Sequence, residues 1–454
     1  MKKSITTKNP YTGQVLKEYQ YHSKNDIENI LNTSDKTFEN WKKTDIKHRT
    51  DLLQNLANLL EQHKEKYAKL MMEEMGKPIT QGIAEVEKCA KLCDFYIANA
   101  DHFLADQIIE TEAKESFISY DPLGVILSIM PWNYPLWQVF RFAVPTLTAG
   151  NVGLLKHASN TTGSALEIEN IFIEAGYPKG CFQTLLTDHE TIESIIGNKI
   201  IKAVTLTGSE KAGRSIAEVA GKNLKKTVLE LGGNNACIIL DDANLDKYID
   251  TIVKARMQNN GQSCIAAKRF IVTENIYDEF LEMFTKKIEG LTIGNPDSKD
   301  TYISVMAKQG LAEELENQVK KSLEKGAVIH YGNERKNAYY QPTIITNVTS
   351  NMPIFEEETF GPVAAVIKVK DKQEAFKTAA NSRFGLGTMV FSENIKEIYD
   401  DISNVPDGAL FINEMVKSDP RLPFGGTKAS GYGRELSKEG ILEFVNIKTV
   451  YINK

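Results

Sequence analysis

A cysteine, a glutamate and an asparagine stand on separate glycine- or proline-rich bends of the chain. Cys264 ends the turn GQSC, Glu230 opens the run ELGG, and Asn133 lies in the bend PWNYP. A thiolate is a good nucleophile near neutral pH, a carboxylate can activate water, and an asparagine amide can donate to an oxyanion. The three residue types therefore suit acyl chemistry at a cysteine. A lone cysteine is also often a small buried hydrophobic residue, so the residues alone leave both interpretations open.

Two more bends carry groups suited to a phosphate or a ribose. Lys156 and Ser159, in the segment KHAS, offer a cation and a hydroxyl, and Gly208 with Ser209 precedes a helical pattern. Backbone N–H groups at the start of a helix can receive a phosphate. The dinucleotide fingerprint GxGxxG does not occur at this bend, so the pattern alone does not identify a cofactor.

These bends follow short apolar segments, which are typical of strands in parallel β-sheets. From Gly124 onward the segments alternate with helical patterns; they are Val125–Met130, Val152–Leu155, Cys181–Leu186, Ala203–Leu206, Val228–Leu231 and Cys237–Leu240. Such alternation indicates βαβ units with a sheet covered on both faces. Since ligands bind at the carboxyl ends of strands in open α/β sheets, we expect the bends to meet in one crevice.

A second alternating series, from Asn244, predicts a second α/β domain. Its clearest segments are the strand Arg269–Thr273, the helices Ile276–Ile288 and Leu311–Lys325, and the strands Val363–Val369 and Ala409–Ile412. The first hundred residues are mainly helical in pattern, with one helix predicted over Ile46–Met72 because apolar residues recur every three or four positions. Two further strands, Ser116–Tyr120 and Phe444–Ile452, lie outside both series.

The bulk composition fits a soluble protein of two or three domains. The 454 residues exceed the length of about 250–300 at which a single core stops growing. A net charge of −6 gives no basic surface for nucleic acid. Five scattered cysteines fit a reducing compartment, and no His or Cys cluster around them completes a metal site. No stretch approaches ~18 apolar residues, and no apolar leader follows the N-terminus, so we expect a cytoplasmic protein without a membrane segment.

Six motifs occur in the order known from the aldehyde dehydrogenase superfamily, and the chain resembles that family over nearly its whole length. They are PWNYP, LTGS, ELGG, GQSC, EETFGPV and PFGGTKASGYGRE. The resemblance implies an α/β fold with two Rossmann-like parallel-sheet domains and a β-strand oligomerisation arm, hence a homodimer or a homotetramer. The boundaries it implies are 1–107, 125–230 and 431–443 for the cofactor-binding domain, 231–430 for the catalytic domain, and 108–124 and 444–454 for the arm.

The resemblance also implies a role for each motif. Cys264 matches the nucleophile that attacks the aldehyde, Glu230 the base that activates water, and Asn133 the donor to the alkoxide. Hydride then passes to a nicotinamide, and a thioester on the cysteine is hydrolysed to the carboxylate. Phe424 matches a wall of the aldehyde pocket. The implied cofactor contacts are Trp132, Lys156, Ser159, Gly208, Ser209, Glu358 and Phe360.

Ser159 departs from the pattern of the family members that prefer NAD. Those usually place a glutamate here, which binds the adenosine ribose hydroxyls and would repel a 2′-phosphate. A serine removes that repulsion and leaves Lys156 free to meet the added charge. We therefore expect a preference for NADP, with NAD as the second cofactor.

Two arginines bear on the substrate. Arg141 follows Asn133 by eight positions and Arg269 follows Cys264 by five, so either guanidinium could bind a distal carboxylate or form a structural ion pair. Both positions resemble carboxylate-binding arginines of succinate-semialdehyde dehydrogenases, and the segments LKHAS and CIAAKRF resemble the compact bacterial branch of that group. Succinate semialdehyde is accordingly the expected substrate.

Other functions remain open from the sequence. A broad aliphatic aldehyde dehydrogenase would keep the same motifs. A cysteine acyl hydrolase would need a histidine base, for which His157, His189 and His330 carry no signature. A catalytically silent structural relative is disfavoured by the intact nucleophile, base and asparagine. A CoA-acylating enzyme of the same fold is disfavoured by Glu230, because such enzymes usually lack the base.

Overall fold

Two mainly parallel β-sheets flanked by helices form the body of the protein, which the computed structural model describes for residues 4–453. The helices are α1 (Lys24–Trp41), α2 (Ile46–Gln62), α3 (Lys64–Met75), α4 (Ile79–Leu104), α5 (Trp137–Thr148), α6 (Thr162–Glu174), α7 (His189–Gly197), α8 (Glu210–Lys222), α9 (Leu245–Met257), α10 (Tyr277–Glu289), α11 (Gln309–Leu323), α12 (Pro353–Glu356), α13 (Lys372–Ala380), α14 (Ile395–Tyr399) and α15 (Ser437–Leu442). The strands are β1 (Ser4–Lys8), β2 (Val15–Gln20), β3 (Gln107–Ile108), β4 (Glu115–Pro122), β5 (Val125–Met130), β6 (Val152–His157), β7 (Phe182–Thr184), β8 (Ile201–Thr207), β9 (Lys226–Glu230), β10 (Asn235–Ile239), β11 (Ala267–Thr273), β12 (Val328–Tyr331), β13 (Arg335–Lys336), β14 (Tyr339–Tyr340), β15 (Thr343–Thr346), β16 (Val363–Val369), β17 (Phe384–Gly385), β18 (Thr388–Phe391), β19 (Leu410–Ile412), β20 (Thr427–Lys428), β21 (Gly431–Tyr432) and β22 (Val445–Ile452).

The first sheet has the order β21-β9-β8-β5-β6-β7 and is parallel except for β21. Its parallel strands are almost wholly apolar and buried, as expected where helices cover both faces. The predicted strand Val125–Met130 is confirmed at both ends, and the other predicted strands of this sheet are confirmed with ends shifted by at most two residues. The carboxyl ends of β5, β6, β8 and β9 lead into the bends that carry the candidate site residues.

The second sheet has the order β12-β15-β16-β11-β10-β18-β19. The edge strand β12 runs antiparallel to β15, and all the other neighbouring strands are parallel. The second α/β series predicted from the sequence is therefore confirmed. Separate apolar clusters pack on the two faces of this sheet. The domain boundaries given above are not tested by this arrangement and stay a prediction.

Two features of the N-terminal part differ from the predictions. The single helix predicted over Ile46–Met72 is two helices, because α2 ends at Gln62 and the next residue, His63, has a φ of −117° and a ψ of 18°, outside the helical region. The apolar spacing continues across the break, so periodicity alone could not locate it. The hairpin of β1 and β2 was not predicted, since its alternating residues are mostly polar and exposed.

The C-terminal strand β22 pairs antiparallel with β4 along its whole length, and β3 pairs with the other edge of β4. The two strands predicted outside the main series are thus partners in one three-stranded sheet. Several apolar side chains of this sheet are exposed: Ile108, Ile447, Tyr451 and Ile452.

Candidate active site

The bend after β5 and the turn before β11 meet around one cavity of about 230 Å³. Cys264 is half-buried and lines this cavity together with Arg141 and Phe424. Tyr134, from the bend PWNYP, lies in the same wall. The bend PWNYP and the loop of Phe424 therefore converge on the cysteine, whereas Asn133 and Glu230 are not among the described residues that line this cavity.

Asn133 contacts the nucleophile turn directly. Its Nδ2 donates to the carbonyl of Gln262 at 3.1 Å, and its own carbonyl accepts from Nδ2 of Asn259 at 2.8 Å. One amide hydrogen of Asn133 is used in this bond, which leaves the second for an oxyanion. The structure thus places Asn133 against the turn that carries Cys264, and its role as oxyanion donor stays a prediction.

Strained backbone precedes the cysteine. Asn259 and Asn260 have φ of 55° and 54°, in the left-handed region that is uncommon for residues other than glycine. Arg256 holds the turn by donating to the carbonyls of Gly261 and Ala267 at 3.2 and 3.0 Å. These bonds offset the strain and fix the direction in which the turn presents Cys264.

Burial raises the pKa of the Cys264 thiol to about 11, while Arg141 and Lys268 oppose that rise. Lys268 is fully buried, and its Nζ donates to the carbonyls of Ser263 and Cys264 at 2.8 Å each. The two cations therefore favour the thiolate, but burial leaves most of the thiol protonated at neutral pH in this state.

Glu230 ends β9 with its carboxyl group buried and without a hydrogen-bond partner in the part of the chain that the structure describes. Burial raises the pKa of Glu230 well above the ordinary range, the nearby Glu435 raises it further, and Arg141 and Arg434 lower it. A carboxyl group with a raised pKa is a better proton acceptor once ionised, which suits a general base.

Lys268 also connects the nucleophile turn to the predicted cofactor ligand Glu358. Its Nζ lies 3.1 Å from Oε1 of Glu358, which accepts from the backbone N–H of Gly233 at 3.0 Å. The rings of Trp132 and Phe360, two other expected cofactor contacts, meet edge to face with centroids 5.7 Å apart. These expected cofactor contacts therefore lie on one side of the cysteine turn.

The bend of Gly208 and Ser209 lies next to Glu230. The N–H of Gly208 donates to the carbonyl of Glu230 at 2.9 Å, so this N–H is already used and does not face a phosphate. Ser209 caps α8, accepting from the N–H of Ala212 at 3.3 Å. Ser209 and Glu358 line a shared cavity of about 560 Å³, wide enough for a phosphate and a ribose.

Lys156 and Ser159 lie at the carboxyl end of β6, where Lys156 is half-buried and Ser159 is exposed. Burial and the nearby Lys308 lower the pKa of Lys156. His157 is buried between them, with a pKa of about 4 because burial disfavours its charged form. Its ring bonds to the carbonyl of Pro135 at 3.0 Å, which links this bend to PWNYP.

The two arginines expected to bind the substrate have different surroundings. Arg141 on α5 is buried, forms an ion pair with Glu435, and lies 4.4 Å from the ring centroid of Phe424 in the wall of the cavity. Arg269 lies outside that wall and donates to four backbone carbonyls, those of Asn234, Thr378, Ala379 and Asn381. The substrate role expected of Arg269 is contradicted by these contacts, which give it a structural role.

Arg269→Ala should therefore destabilise the fold without changing substrate choice. Loss of the guanidinium leaves several buried carbonyls without donors, at a cost on the order of 3 kcal/mol in the free energy of unfolding. Urea denaturation measures this loss. The ratio of kcat/KM for a carboxylated aldehyde to that for butanal should stay within about threefold; a selective loss for the carboxylated aldehyde would restore Arg269 to the substrate site.

A buried ion pair beside the cavity was not predicted from the sequence. Glu85 on α4 pairs with Lys77 and accepts from the N–H groups of Leu136 and Trp137 at 2.9 and 3.0 Å. The carboxylate thus binds the first N–H groups of α5, the helix that carries Arg141. No local signal marks Glu85, because it lies inside a long helix, about 50 positions before the two N–H groups that it binds.

The fold and the cysteine site together define a dehydrogenase of the aldehyde class, and the chain belongs to the aldehyde dehydrogenase family, whose profile matches residues 1–450. The resemblance and the fold class inferred from the motifs are confirmed. The chain is 47% identical to the probable succinate-semialdehyde dehydrogenase [NADP(+)] of Synechocystis, over 99% of this chain and 100% of the relative. It is 43% identical to the succinate-semialdehyde dehydrogenase [NADP(+)] of Mycobacterium leprae, again over 99% and 100%.

A solved structure agrees with these relatives. The succinic semialdehyde dehydrogenase of Streptococcus pyogenes, in complex with NADP+, superposes with a TM-score of 0.97 at 38% identity, covering 99% of this chain and 100% of that one. Within residues 4–453, no histidine lines the cavity of Cys264, which disfavours a hydrolase with a histidine base. No cluster of metal-binding side chains was found among the described residues. No described helix is long and apolar enough to cross a membrane.

Proposed function

We propose that the chain oxidises succinate semialdehyde to succinate, with NADP preferred over NAD. The observation that carries this proposal is the charge around the Cys264 cavity. Lys88 and Arg141 line it, and Glu85, the one carboxylate residue in its described lining, is already bonded to Lys77. Two more lysines, Lys254 and Lys417, are exposed residues of the same lining. A substrate with a distal carboxylate complements this positive charge, whereas an uncharged aldehyde does not.

The side chains then act in sequence on the aldehyde. The Cys264 thiolate attacks the carbonyl carbon, and the alkoxide of the thiohemiacetal accepts from the free amide hydrogen of Asn133 and from the backbone N–H of Cys264. NADP, when bound, supplies the hydride acceptor. Glu230 takes a proton from water, which adds to the thioester carbonyl; expulsion of the Cys264 thiolate releases succinate.

The bend at Ser159 fits a cofactor with a 2′-phosphate. Lys156 and Lys308 place two cations near this hydroxyl, and the buried side-chain amide of Asn160 lacks a hydrogen-bond partner among the described residues. Lys156 and Ser159 would hold the adenosine ribose and its phosphate, Ser209 the pyrophosphate, and Glu358 the nicotinamide ribose. Trp132 and Phe360 would flank the nicotinamide.

Cofactor preference can be reversed at Ser159. Ser159→Glu places a carboxylate beside the 2′-phosphate, so kcat/KM with NADP should fall on the order of 100-fold while that with NAD is retained or rises. Ser159→Ala, the matched control, should keep the preference for NADP. The measurement is a panel of succinate semialdehyde and butanal with each cofactor. A wild-type enzyme that prefers NAD, or that oxidises butanal as well as succinate semialdehyde, would contradict the proposal.

We also infer that the chain forms a homodimer or a homotetramer. The exposed apolar residues of the sheet β22-β4-β3 support this, because an open sheet edge with apolar side chains favours pairing with another copy. The same sheet is the proposed oligomerisation arm, 108–124 and 444–454. The cytoplasm remains the proposed location, since the five cysteines are all free thiols.

A further inference from the structure

Lys88 lines the cavity of Cys264, where its amine contacts a hydroxyl group and an aromatic ring. Its Nζ donates to Oγ of Ser418 at 2.7 Å and lies 4.0 Å from the ring centroid of Trp137. Nε1 of Trp137 donates to the same Ser418 oxygen at 3.0 Å. The ammonium has no ion-pair partner among residues 4–453, so two of its three hydrogens remain for a ligand.

The acidic groups near Lys88 are bound elsewhere. Glu85, one turn earlier on α4, pairs with Lys77. Asp419 accepts two hydrogen bonds from the guanidinium of Arg421, at 2.9 and 2.7 Å, and one from its backbone N–H at 3.0 Å. On the same helix, the adjacent Glu87 pairs with Lys64, and the thiol of Cys89 is buried.

The other charges that face Lys88 are cations. Arg141, from α5, faces the same cavity, and its carboxylate partner is Glu435. Lys254, from α9, and Lys417, from the loop before β20, are exposed in the lining. A lysine that is largely removed from water costs free energy unless an anion meets it. The described residues supply no such anion, so the substrate is the natural source.

We propose that the ammonium of Lys88 and the hydroxyl of Ser418 bind the distal carboxylate of the aldehyde, and that Lys88 sets the selectivity for ω-carboxylated over uncharged aldehydes. This inference rests on the proposed function and adds a specificity residue to it. Arg141 then pairs with both Glu435 and the substrate, whereas the substrate carboxylate is the one anionic partner of Lys88.

The ionisation of Lys88 gives the proposal a pH signature. Burial and, secondarily, Arg141 lower the pKa of Lys88 to about 8. A bound carboxylate favours the charged form, so binding above this pKa requires uptake of a proton. The ratio of kcat/KM for succinate semialdehyde to that for butanal should fall as the pH rises from about 7 to about 9. Ionisation of Cys264 and Glu230 affects both aldehydes and cancels in the ratio.

The experiment compares Lys88→Met with Lys91→Met, which removes an exposed lysine from the same helix outside the cavity. Lys88→Met should lower kcat/KM for succinate semialdehyde on the order of 30-fold, because a charge-assisted hydrogen bond is lost. Most of this loss should come from a higher KM. The value for butanal, which also reports that the variant is folded, should fall by less than about threefold. Lys91→Met should change neither value, and Lys88→Arg should recover part of the selectivity and abolish its fall with pH.

Two results would overturn the role of Lys88: equal losses for the two aldehydes in Lys88→Met, or a selectivity ratio in the wild type that does not change with pH. Failure of the proposed function is a different result, in which the wild type itself shows no preference for succinate semialdehyde over butanal. The same assay therefore separates the two failures.

Discussion

Replacement of Cys264 by alanine is expected to lower aldehyde oxidation by at least about 10⁴-fold, because no covalent intermediate can form without the thiolate. The assay is the absorbance of the reduced nicotinamide with succinate semialdehyde and NADP. Cys181→Ala is the matched control: this cysteine is buried in the apolar core around the first sheet and lies outside the Cys264 cavity, so kcat should be retained. Equal activity in Cys264→Ala and in the wild type would remove Cys264 from the mechanism.

The ionisation of Cys264 gives an independent check. Because burial raises the pKa of this thiol to about 11, the free enzyme should react slowly with iodoacetamide at neutral pH. The rate should keep rising with pH beyond about 9. A rate that reaches its plateau near neutral pH would show that Arg141 and Lys268 outweigh burial. Mass spectrometry of the alkylated peptide assigns the rate to Cys264.

The second large effect is expected at the base. Glu230→Gln keeps the size of the side chain but cannot accept a proton from water, so hydrolysis of the thioester should slow on the order of 10³-fold. Formation of the thioester does not need this carboxylate. A rapid burst of reduced nicotinamide, close to one per active site, should therefore precede a slow steady state.

Hydroxylamine provides the control for this interpretation, because it attacks a thioester without help from a base. It should restore turnover in Glu230→Gln and have no effect on Cys264→Ala. In the wild type, the raised pKa of Glu230 means that the carboxyl group is protonated at pH values where an ordinary glutamate is ionised. Hydrolysis should thus be lost as the pH falls through that raised pKa, while the burst persists. A variant without a burst would place the loss before thioester formation and contradict the role of Glu230 as base.

Both parallel sheets and the convergence of the bends were predictable from the sequence. Apolar runs such as Val125–Met130 are buried on both faces, so composition alone marks them as strands. The polar bends follow these strands, and parallel strands end at one edge of a sheet, which brings Asn133 and Glu230 towards Cys264. The roles of the individual residues came from the resemblance of the motifs to the family. These roles stay predictions.

Arg269 shows what sequence spacing cannot determine. Successive side chains of a strand point to opposite faces, so Lys268 and Arg269 on β11 have different surroundings. Lys268 bonds to the nucleophile turn, and Arg269 bonds to carbonyls away from the cavity. A shift of one residue along the strand would exchange the surroundings of the two side chains. Their separation from Cys264 along the chain therefore does not predict which of them faces the site. Neither side chain is among the described residues that line the cavity of Cys264.

Lys88 and Glu85 illustrate a second limit. Both lie on α4, far along the chain from Cys264, and the helix pattern places them among ordinary charged residues. Their significance comes from packing of α4 against α5, which turns one charged side chain to the start of α5 and the other to the cavity. Sequence periodicity identifies the helix but not the partner of each charge.

The most direct measurement is the mass of the Cys264 peptide from Glu230→Gln quenched after the burst with succinate semialdehyde and NADP. A single succinyl group is expected on Cys264, formed only when NADP is present and removed by hydroxylamine. A burst of reduced nicotinamide with no succinyl group on Cys264, or with the group on another cysteine, would contradict oxidation through a thioester at this residue.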